Sequence, residues 1–252
     1  MILQRHRSQV IAISQADHAG LSGVFAKHWN EGPYLRPVPW DRVVNATIHH
    51  DDGWIGWDAS PTVDADGNPY DFITLPTPDR LGVYEEGIRA VLGEDPWTIL
   101  LVSMHLTGLF LGRFEPGASR LVDGLEGDDR RMADNFLQEE SARQDRLRSE
   151  LGVDPMPHYR LLQVFDRLSL YFCMTAAADL YPTSIEGVPG SDLRISIQVS
   201  EGSATFKPLP FDSPFEFAIP AVSLKAGEFL SSKAYREALA SGERVELSFE
   251  VT

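Results

Sequence analysis

The sequence predicts a mainly α protein with a small C-terminal antiparallel β region, an α+β fold overall. Up to about residue 180, apolar residues recur at three- and four-residue steps, which is the spacing of one helix face. Beyond Tyr181-Pro182 they alternate with polar residues, as half-buried strands do. We therefore predict two regions, residues 1–182 and residues 183–252, with the second packed on the first.

The amino-acid composition limits the kinds of molecule that the protein is expected to bind. The chain of 252 residues can bury a sizeable core, and its 22 Lys and Arg against 37 Asp and Glu give a net charge of −15. Such a charge disfavours nucleic acid. We see no signal peptide and no membrane-spanning run, and the one cysteine, Cys173, fits a reducing compartment. We therefore expect a cytoplasmic protein with a small-molecule substrate and no membrane partner, and we leave homo-oligomerisation open.

The first elements are a short strand and two helices. Residues 10–13 predict the strand, and Ser14 with Asp17 can cap a helix that extends to about Trp29. After a loop rich in glycine and proline, Asp41 caps a second helix that ends near residue 48. The apolar face of the first helix is formed by Leu21, Val24, Phe25 and Trp29.

The later elements follow from the same patterns. Residues 54–78 contain many turn-type residues and predict an irregular segment. Four further helices are predicted over residues 80–92, 97–110, 128–151 and 159–180. Strands are predicted at residues 193–200, 204–206, 215–219 and 245–251, with one short helix at residues 234–240.

Ligand-type residues lie on four of these helices, which are otherwise apolar. They are His18, the pair His50-Asp51, His105 and Asp166. A lone buried histidine usually has a protein partner, and Asp166 could pair with its neighbour Arg167. One metal ion, however, would explain all four helices together, because imidazole nitrogen and carboxylate oxygen are common ligands of transition metals.

The order His18, His50-Asp51, Asp166 resembles the HD-domain superfamily of metal-dependent phosphohydrolases. The string His50-Asp51-Asp52-Gly53 matches the turn of that family. Longer strings more closely resemble an uncharacterised bacterial family, DUF3891, over most of the chain. These strings are Gln15-Ala16-Asp17-His18-Ala19, His49-His50-Asp51-Asp52-Gly53-Trp54 and Val102-Ser103-Met104-His105.

The HD resemblance implies a helical bundle in which His18, His50, Asp51 and Asp166 bind a divalent transition metal. One or two ions fit, and Fe, Mn, Zn and Ni are not distinguished. Two departures matter. Trp54 stands where many HD phosphohydrolases have a phosphate-binding Lys, and only His105 lies where dinuclear members usually have two histidines.

The predicted function is a metal-dependent hydrolase of a small molecule, with phosphoesters as one substrate class. Metal-activated water would attack, and His105 or Asp52 would accept the proton. Two alternatives use the same residues: an HD-type di-iron oxygenase, and a metal-stabilised binding or regulatory protein without catalysis.

Other residues are candidates for supporting roles. Trp54 and Trp57 could line a substrate pocket or belong to ordinary core. Asp17, Gln15 and His49 could orient the ligands, although Asp17 and Gln15 could equally cap their helix, and His49 should point away from the target of His50. Because the C-terminal strands carry no catalytic-type cluster, a chain ending near Pro182 is expected to keep the metal.

Overall fold

The computed structural model describes residues 1–32, 34–113, 119–174, 182–186, 188–192, 194–200 and 202–252. Within these ranges the protein has a layer of helices packed on a mixed sheet. The helices are α1 (Gln15–His28), α2 (Trp40–His49), α3 (Trp54–Ala59), α4 (Thr77–Val91), α5 (Pro96–Phe110), α6 (Gly127–Leu151), α7 (Met156–Met174) and α8 (Ser232–Ser241). The strands are β1 (Ile2–Arg5), β2 (Gln9–Ile13), β3 (Thr183–Ile185), β4 (Ile195–Ser200), β5 (Ser203–Lys207), β6 (Phe215–Lys225) and β7 (Glu243–Val251).

In the described residues all seven strands form one sheet, in the order β1-β2-β6-β7-β5-β4-β3. Neighbouring strands are antiparallel, except β5 and β7, which are parallel. Strand β2 from the start of the chain pairs with β6, with Val10 opposite Leu224. The sheet therefore takes strands from both ends of the sequence.

The predicted fold class was wrong in the size and place of its β region. The sheet is substantial and mixed, and it includes the N-terminal strands β1 and β2. Strand β1 has only four residues, too few for a reliable alternating pattern. Strand β6 was predicted over residues 215–219 but continues through Pro220 to Lys225, with Glu246 opposite that proline.

Most predicted helices are confirmed, with shifts at their ends. The strand over residues 10–13 and the cap at Ser14 are also confirmed. Pro39 rather than Asp41 precedes α2 as its N-cap. The segment 54–78 was predicted to be irregular but begins with α3. The end predicted for α7 near residue 180 and the strand start at residue 193 lie outside the described residues.

Two large apolar clusters hold the helices in their positions. In the first, α1 and α7 pack on the sheet through aromatic rings, including Phe25, Phe172 and Phe217. The second lies among α4, α5, α6 and α7 and contains Trp54 and Leu100. Helix α2 contacts α1, α5 and α7. The ligand-type residues lie on α1, α5 and α7 and at the end of α2. None of the described helices is both long and apolar enough to cross a membrane.

Candidate metal centre

Five buried polar side chains converge where α1, α2, α5 and α7 meet. His18 comes from α1, His50 and Asp51 follow the last turn of α2, His105 lies within α5, and Asp166 lies within α7. Each is at most 6% exposed. Since unpaired charged or polar groups are costly to bury, such a convergence needs a compensating interaction.

The ligand-type atoms approach one another closely. His18 Nε2 lies 3.1 Å from Asp166 Oδ1, 3.3 Å from His50 Nε2 and 3.8 Å from Asp51 Oδ2. His50 Nε2 lies 3.7 Å from both Asp51 Oδ2 and Asp166 Oδ1. His105 Nε2 lies 3.9 Å from Asp51 Oδ1.

Hydrogen bonds on the far side of the rings determine which nitrogens face the centre. His50 Nδ1 lies 2.7 Å from the carbonyl oxygen of Thr47, which can only accept, so this nitrogen carries the proton. His18 Nδ1 lies 2.7 Å from Ser169 Oγ. Ser169 in turn donates to the carbonyl oxygen of Asp166 at 3.0 Å. Both Nε2 atoms can therefore present lone pairs to the centre.

These lone pairs and the two carboxylates form a set of acceptors that a cation would satisfy. Two donors of one ion can lie at most about twice the metal–ligand distance apart, roughly 4.2 Å for nitrogen and oxygen ligands. The six measured separations, from 3.1 to 3.9 Å, are all shorter than this limit. Among the described residues, two groups have ligand atoms within 4.8 Å of one another, namely His18, His50 and Asp51, and His50, His105 and Asp166. The residues present thus fit a divalent ion.

The pKa values reflect the same crowding of charges. Burial lowers the pKa of His50, but Asp51 and Asp166 outweigh it and raise that pKa to about 9. Burial, with the nearby His50, lowers the pKa of His105 to about 4. Burial opposes ionisation of Asp166, yet hydrogen bonds with His18 and His50 hold its pKa well below the usual range. In the metal-free protein, His50 is thus the imidazole that takes up a proton.

Asp52, predicted as a proton acceptor, is not in either group of close ligand atoms in the described residues. Its Oδ2 lies 2.6 Å from Nδ1 of the half-buried His49, its neighbour three positions earlier. Trp54 is only 3% exposed and packs in the second apolar cluster, so it belongs to the core. Trp57 is half-buried and lines a surface cleft with Asp52.

The predicted orienting residues have other contacts. Asp17 is part of the N-terminal cap of α1, because its backbone N–H donates to Oγ of the N-cap residue Ser14 at 2.9 Å. The backbone N–H of Gln15 donates to Asp58 Oδ2, and its buried side-chain oxygen has no hydrogen-bond partner among the described residues. The groups in contact with Nδ1 of His18 and of His50 are the hydroxyl of Ser169 and the carbonyl of Thr47. The signal for Ser169 was available: it lies one helical turn after Asp166 on a buried face, as Ser22 does after His18.

Helices on a mixed sheet, enclosing three imidazoles and two carboxylates, define a protein with a candidate metal centre. The sequence model of DUF3891, described as a protein of unknown function, matches residues 1–226, so the chain belongs to that family. No curated protein and no solved structure gave a match. The match includes all five residues of the centre and ends just after β6.

Proposed function

We propose that the protein is a metal-dependent hydrolase that acts on a small-molecule ester, phosphoesters included, through a single divalent transition-metal ion. One observation carries the proposal: Nε2 of His18 and Nε2 of His50 each lie within 3.8 Å of the buried carboxylates of Asp51 and Asp166, while Ser169 and Thr47 engage the opposite ring nitrogens. Imidazole nitrogens and carboxylates gathered in a buried site are the arrangement that a cation stabilises.

The ligands of that ion would be His18, His50, Asp51 and Asp166. A single ion is favoured because His50 belongs to both groups of close ligand atoms and has only one nitrogen free, the other being engaged by Thr47. A second ion would have to rely on His105 and shared carboxylates. This shortage of nitrogen donors among the described residues also disfavours the di-iron oxygenase.

His105 would position the attacking water. A bound divalent ion supplies a water of lowered pKa and polarises the scissile bond. His105 Nε2 lies 3.9 Å from Asp51 Oδ1, next to the four proposed ligands. Its pKa of about 4 keeps the imidazole neutral near pH 7, so this nitrogen can accept a hydrogen bond from water. The carboxylates of Asp51 and Asp166 would offset the positive charge of the ion.

The test of the metal uses two neighbouring histidines. The purified protein should carry about one transition-metal ion per chain, and His50→Ala should lose it because a ligand is removed. His49→Ala is the matched control, since His49 is adjacent but half-buried and paired with Asp52. Elemental analysis of the three proteins measures this. An equal metal content in all three, or none in the wild type, would contradict the proposal.

The test of hydrolysis uses His105→Ala. If His105 positions water, metal content should be unchanged, while the turnover of generic esters and phosphoesters should fall by roughly 10²–10⁴. Loss of metal would instead make His105 a ligand. Two irons per wild-type chain and one in the variant, without esterase activity, would support the oxygenase. Full metal loading without turnover of any ester would support a binding or regulatory protein.

A further inference from the structure

Ser169 joins two of the proposed ligands across the interface between α1 and α7. Its hydroxyl lies 2.7 Å from His18 Nδ1 and 3.0 Å from the carbonyl oxygen of Asp166. Ser22 from α1 adds a third contact, 2.6 Å from Ser169 Oγ. Both serines are fully buried. The hydroxyl is therefore held from three sides, with no water needed to complete its hydrogen bonds.

The directions of these bonds follow from the carbonyl. We assign the single proton of Ser169 to its bond with Asp166 O, since a carbonyl oxygen only accepts. In this assignment Ser169 Oγ accepts from His18, and the ring proton of His18 lies on Nδ1. Nε2 of His18 is left with a lone pair that faces His50 and Asp51.

A competing arrangement exists in the same site. Asp166 Oδ1 lies 3.1 Å from His18 Nε2 and would accept a hydrogen bond from that nitrogen if it carried the proton. This second tautomer would use both His18 Nε2 and Asp166 Oδ1 in one hydrogen bond, and so withdraw two ligand atoms from the centre. In the first tautomer His18 Nδ1 donates to Ser169 Oγ at 2.7 Å instead, and both Nε2 and Asp166 Oδ1 stay available to the centre.

We propose that Ser169 is a positioning residue that holds His18 in the tautomer with a free Nε2, and thereby sets the affinity of the centre for a divalent ion. The inference rests on the metal site of the proposed function. Ser169 itself would not bind the ion. Its hydrogen bond to His18 would determine whether His18 and Asp166 bind the ion or form a hydrogen bond with each other.

Ser22 provides the matched control. It is the same residue type, equally buried, and belongs to the same network, but it contacts Ser169 and the carbonyl oxygen of His18 rather than the His18 ring. Ser22→Ala removes one hydroxyl and leaves the bonds from Ser169 to His18 and Asp166 in place. Ser169→Ala removes the acceptor for Nδ1 itself.

The experiment measures Zn²⁺ affinity by competition with a chelating dye, and the tautomer of His18 by ¹⁵N NMR of the ring nitrogens. Ser169→Ala should weaken Zn²⁺ binding by about 10–100-fold, which is typical for the loss of a partner that orients a ligand. In the metal-free variant the His18 proton should move to Nε2. Ser22→Ala should bind Zn²⁺ nearly as the wild type does and keep the proton on Nδ1.

Equal Zn²⁺ affinity in the wild type and Ser169→Ala, or equal losses in the two serine variants, would overturn the role of Ser169 while leaving the metal site intact. Failure of the wild type to bind Zn²⁺ or any other transition ion would overturn the metal site and this inference together. Should Ser169→Ala not fold, the metal-free wild type decides: a proton on His18 Nδ1 supports the proposal, and a proton on Nε2 refutes it.

Discussion

At the residue scale, the two adjacent histidines at the end of α2 have different surroundings. His50 is fully buried among the ligand-type residues, while His49 is half-buried and hydrogen-bonded to Asp52. Consecutive helical positions point about 100° apart, so only one of the two can face the centre. Elementary helix geometry therefore separates the residue that can bind metal from the neighbour that forms an ordinary surface pair.

The raised pKa of His50 predicts a pH dependence of metal binding. Asp51 and Asp166 raise this pKa to about 9 against the effect of burial, so His50 is protonated in the metal-free protein at pH 7. The ion must displace that proton. We expect the apparent affinity for Zn²⁺ to rise by up to about tenfold per pH unit from pH 7 until it levels off near the pKa of His50.

Isothermal titration calorimetry in buffers of different ionisation enthalpy would measure both the affinity and the proton released. Close to one proton per ion is expected at pH 7. The pKa of His105, about 4, lies below this range, so His105 should add no release of its own. An affinity that stays constant between pH 7 and pH 8, with no proton released, would refute this account of His50.

Sequence reasoning placed His18, His50, Asp51, His105 and Asp166 together because each is a ligand-type residue within an apolar helix. It did not find Ser169, because its spacing from Asp166 gains a meaning only once α1 and α7 are known to pack together. Trp54 illustrates a different limit. A tryptophan next to a polar motif is compatible with a pocket or a core, and only the packing of α3 against α4 shows which of the two it joins.

At the element scale, Gly53 allows α3 to begin against the backbone of α4. Its φ of −59° is accessible to any residue, so conformational freedom is not the reason for glycine here. A Cβ at this position would lie 2.1 Å from the carbonyl oxygen of Val83 and 2.5 Å from the backbone nitrogen of Gly87. The glycine that follows Asp51 and Asp52 therefore permits the close approach of two chain segments.

We predict that Gly53→Ala destabilises the protein. Because the obstructing atoms are backbone, α3 and α4 must separate, and a cost of about 1–3 kcal/mol in the free energy of unfolding is expected. Metal affinity should fall as well, since Asp51 lies two residues before the displaced position. Urea unfolding and Zn²⁺ titration measure the two effects.

Gly56→Ala in the same short helix is the control. A Cβ there would meet no atom of the described residues within 4 Å, and Gly56 is exposed. Replacement of a helical glycine by alanine should leave stability unchanged or raise it by up to about 1 kcal/mol. If both variants lost the same amount of stability, the loss would arise from helix propensity or from a change in the unfolded chain. The close approach at Gly53 would then not be its cause.

Helices α4, α5 and α6 were predicted from their sequence because each has a sustained apolar period. Strand β1 and helix α3 were missed because four and six residues are too few to show a period. Pairing partners are a separate problem. Nothing local to residues 9–13 indicates that they add to a strand more than 200 positions away, so the extent of the sheet could not be predicted.

At the scale of the whole molecule, the sheet supports the helices that carry the ligands. Phe25 of α1 and Phe172 of α7 both contact Phe217 of β6, with ring centroids 5.3 and 5.0 Å apart. Phe172 also contacts Phe249 of β7 at 5.1 Å. The same two helices hold His18 and Asp166 at 3.1 Å from each other. The spacing of the ligands therefore depends on strands that come after residue 183.

This dependence can be tested without shortening the chain. Phe217→Ala removes a ring that is 7% exposed from between α1 and α7 and should lower the free energy of unfolding by about 3–5 kcal/mol. If helices and sheet form one cooperative unit, helical circular dichroism and the backbone NMR signals of β6 and β7 should be lost in a single transition at a lower urea concentration. Separate transitions, with only the later strands destabilised, would indicate that residues 1–182 fold independently.

Truncation gives the sharper test, and here the structure and the sequence predict different results. The sequence alone predicted that a chain ending at Pro182 keeps its metal. In the structure, that truncation would remove β6 from beside β2, leave a two-stranded hairpin, and expose Phe25 and Phe172. A two-stranded hairpin is marginal in water, and the lost apolar contacts are those that align α1 with α7. We therefore expect the truncated protein to be aggregated or loosely packed and to bind no transition metal, as measured by size-exclusion chromatography and elemental analysis. A monomeric truncated protein with wild-type metal content would show that the helical region holds the centre by itself.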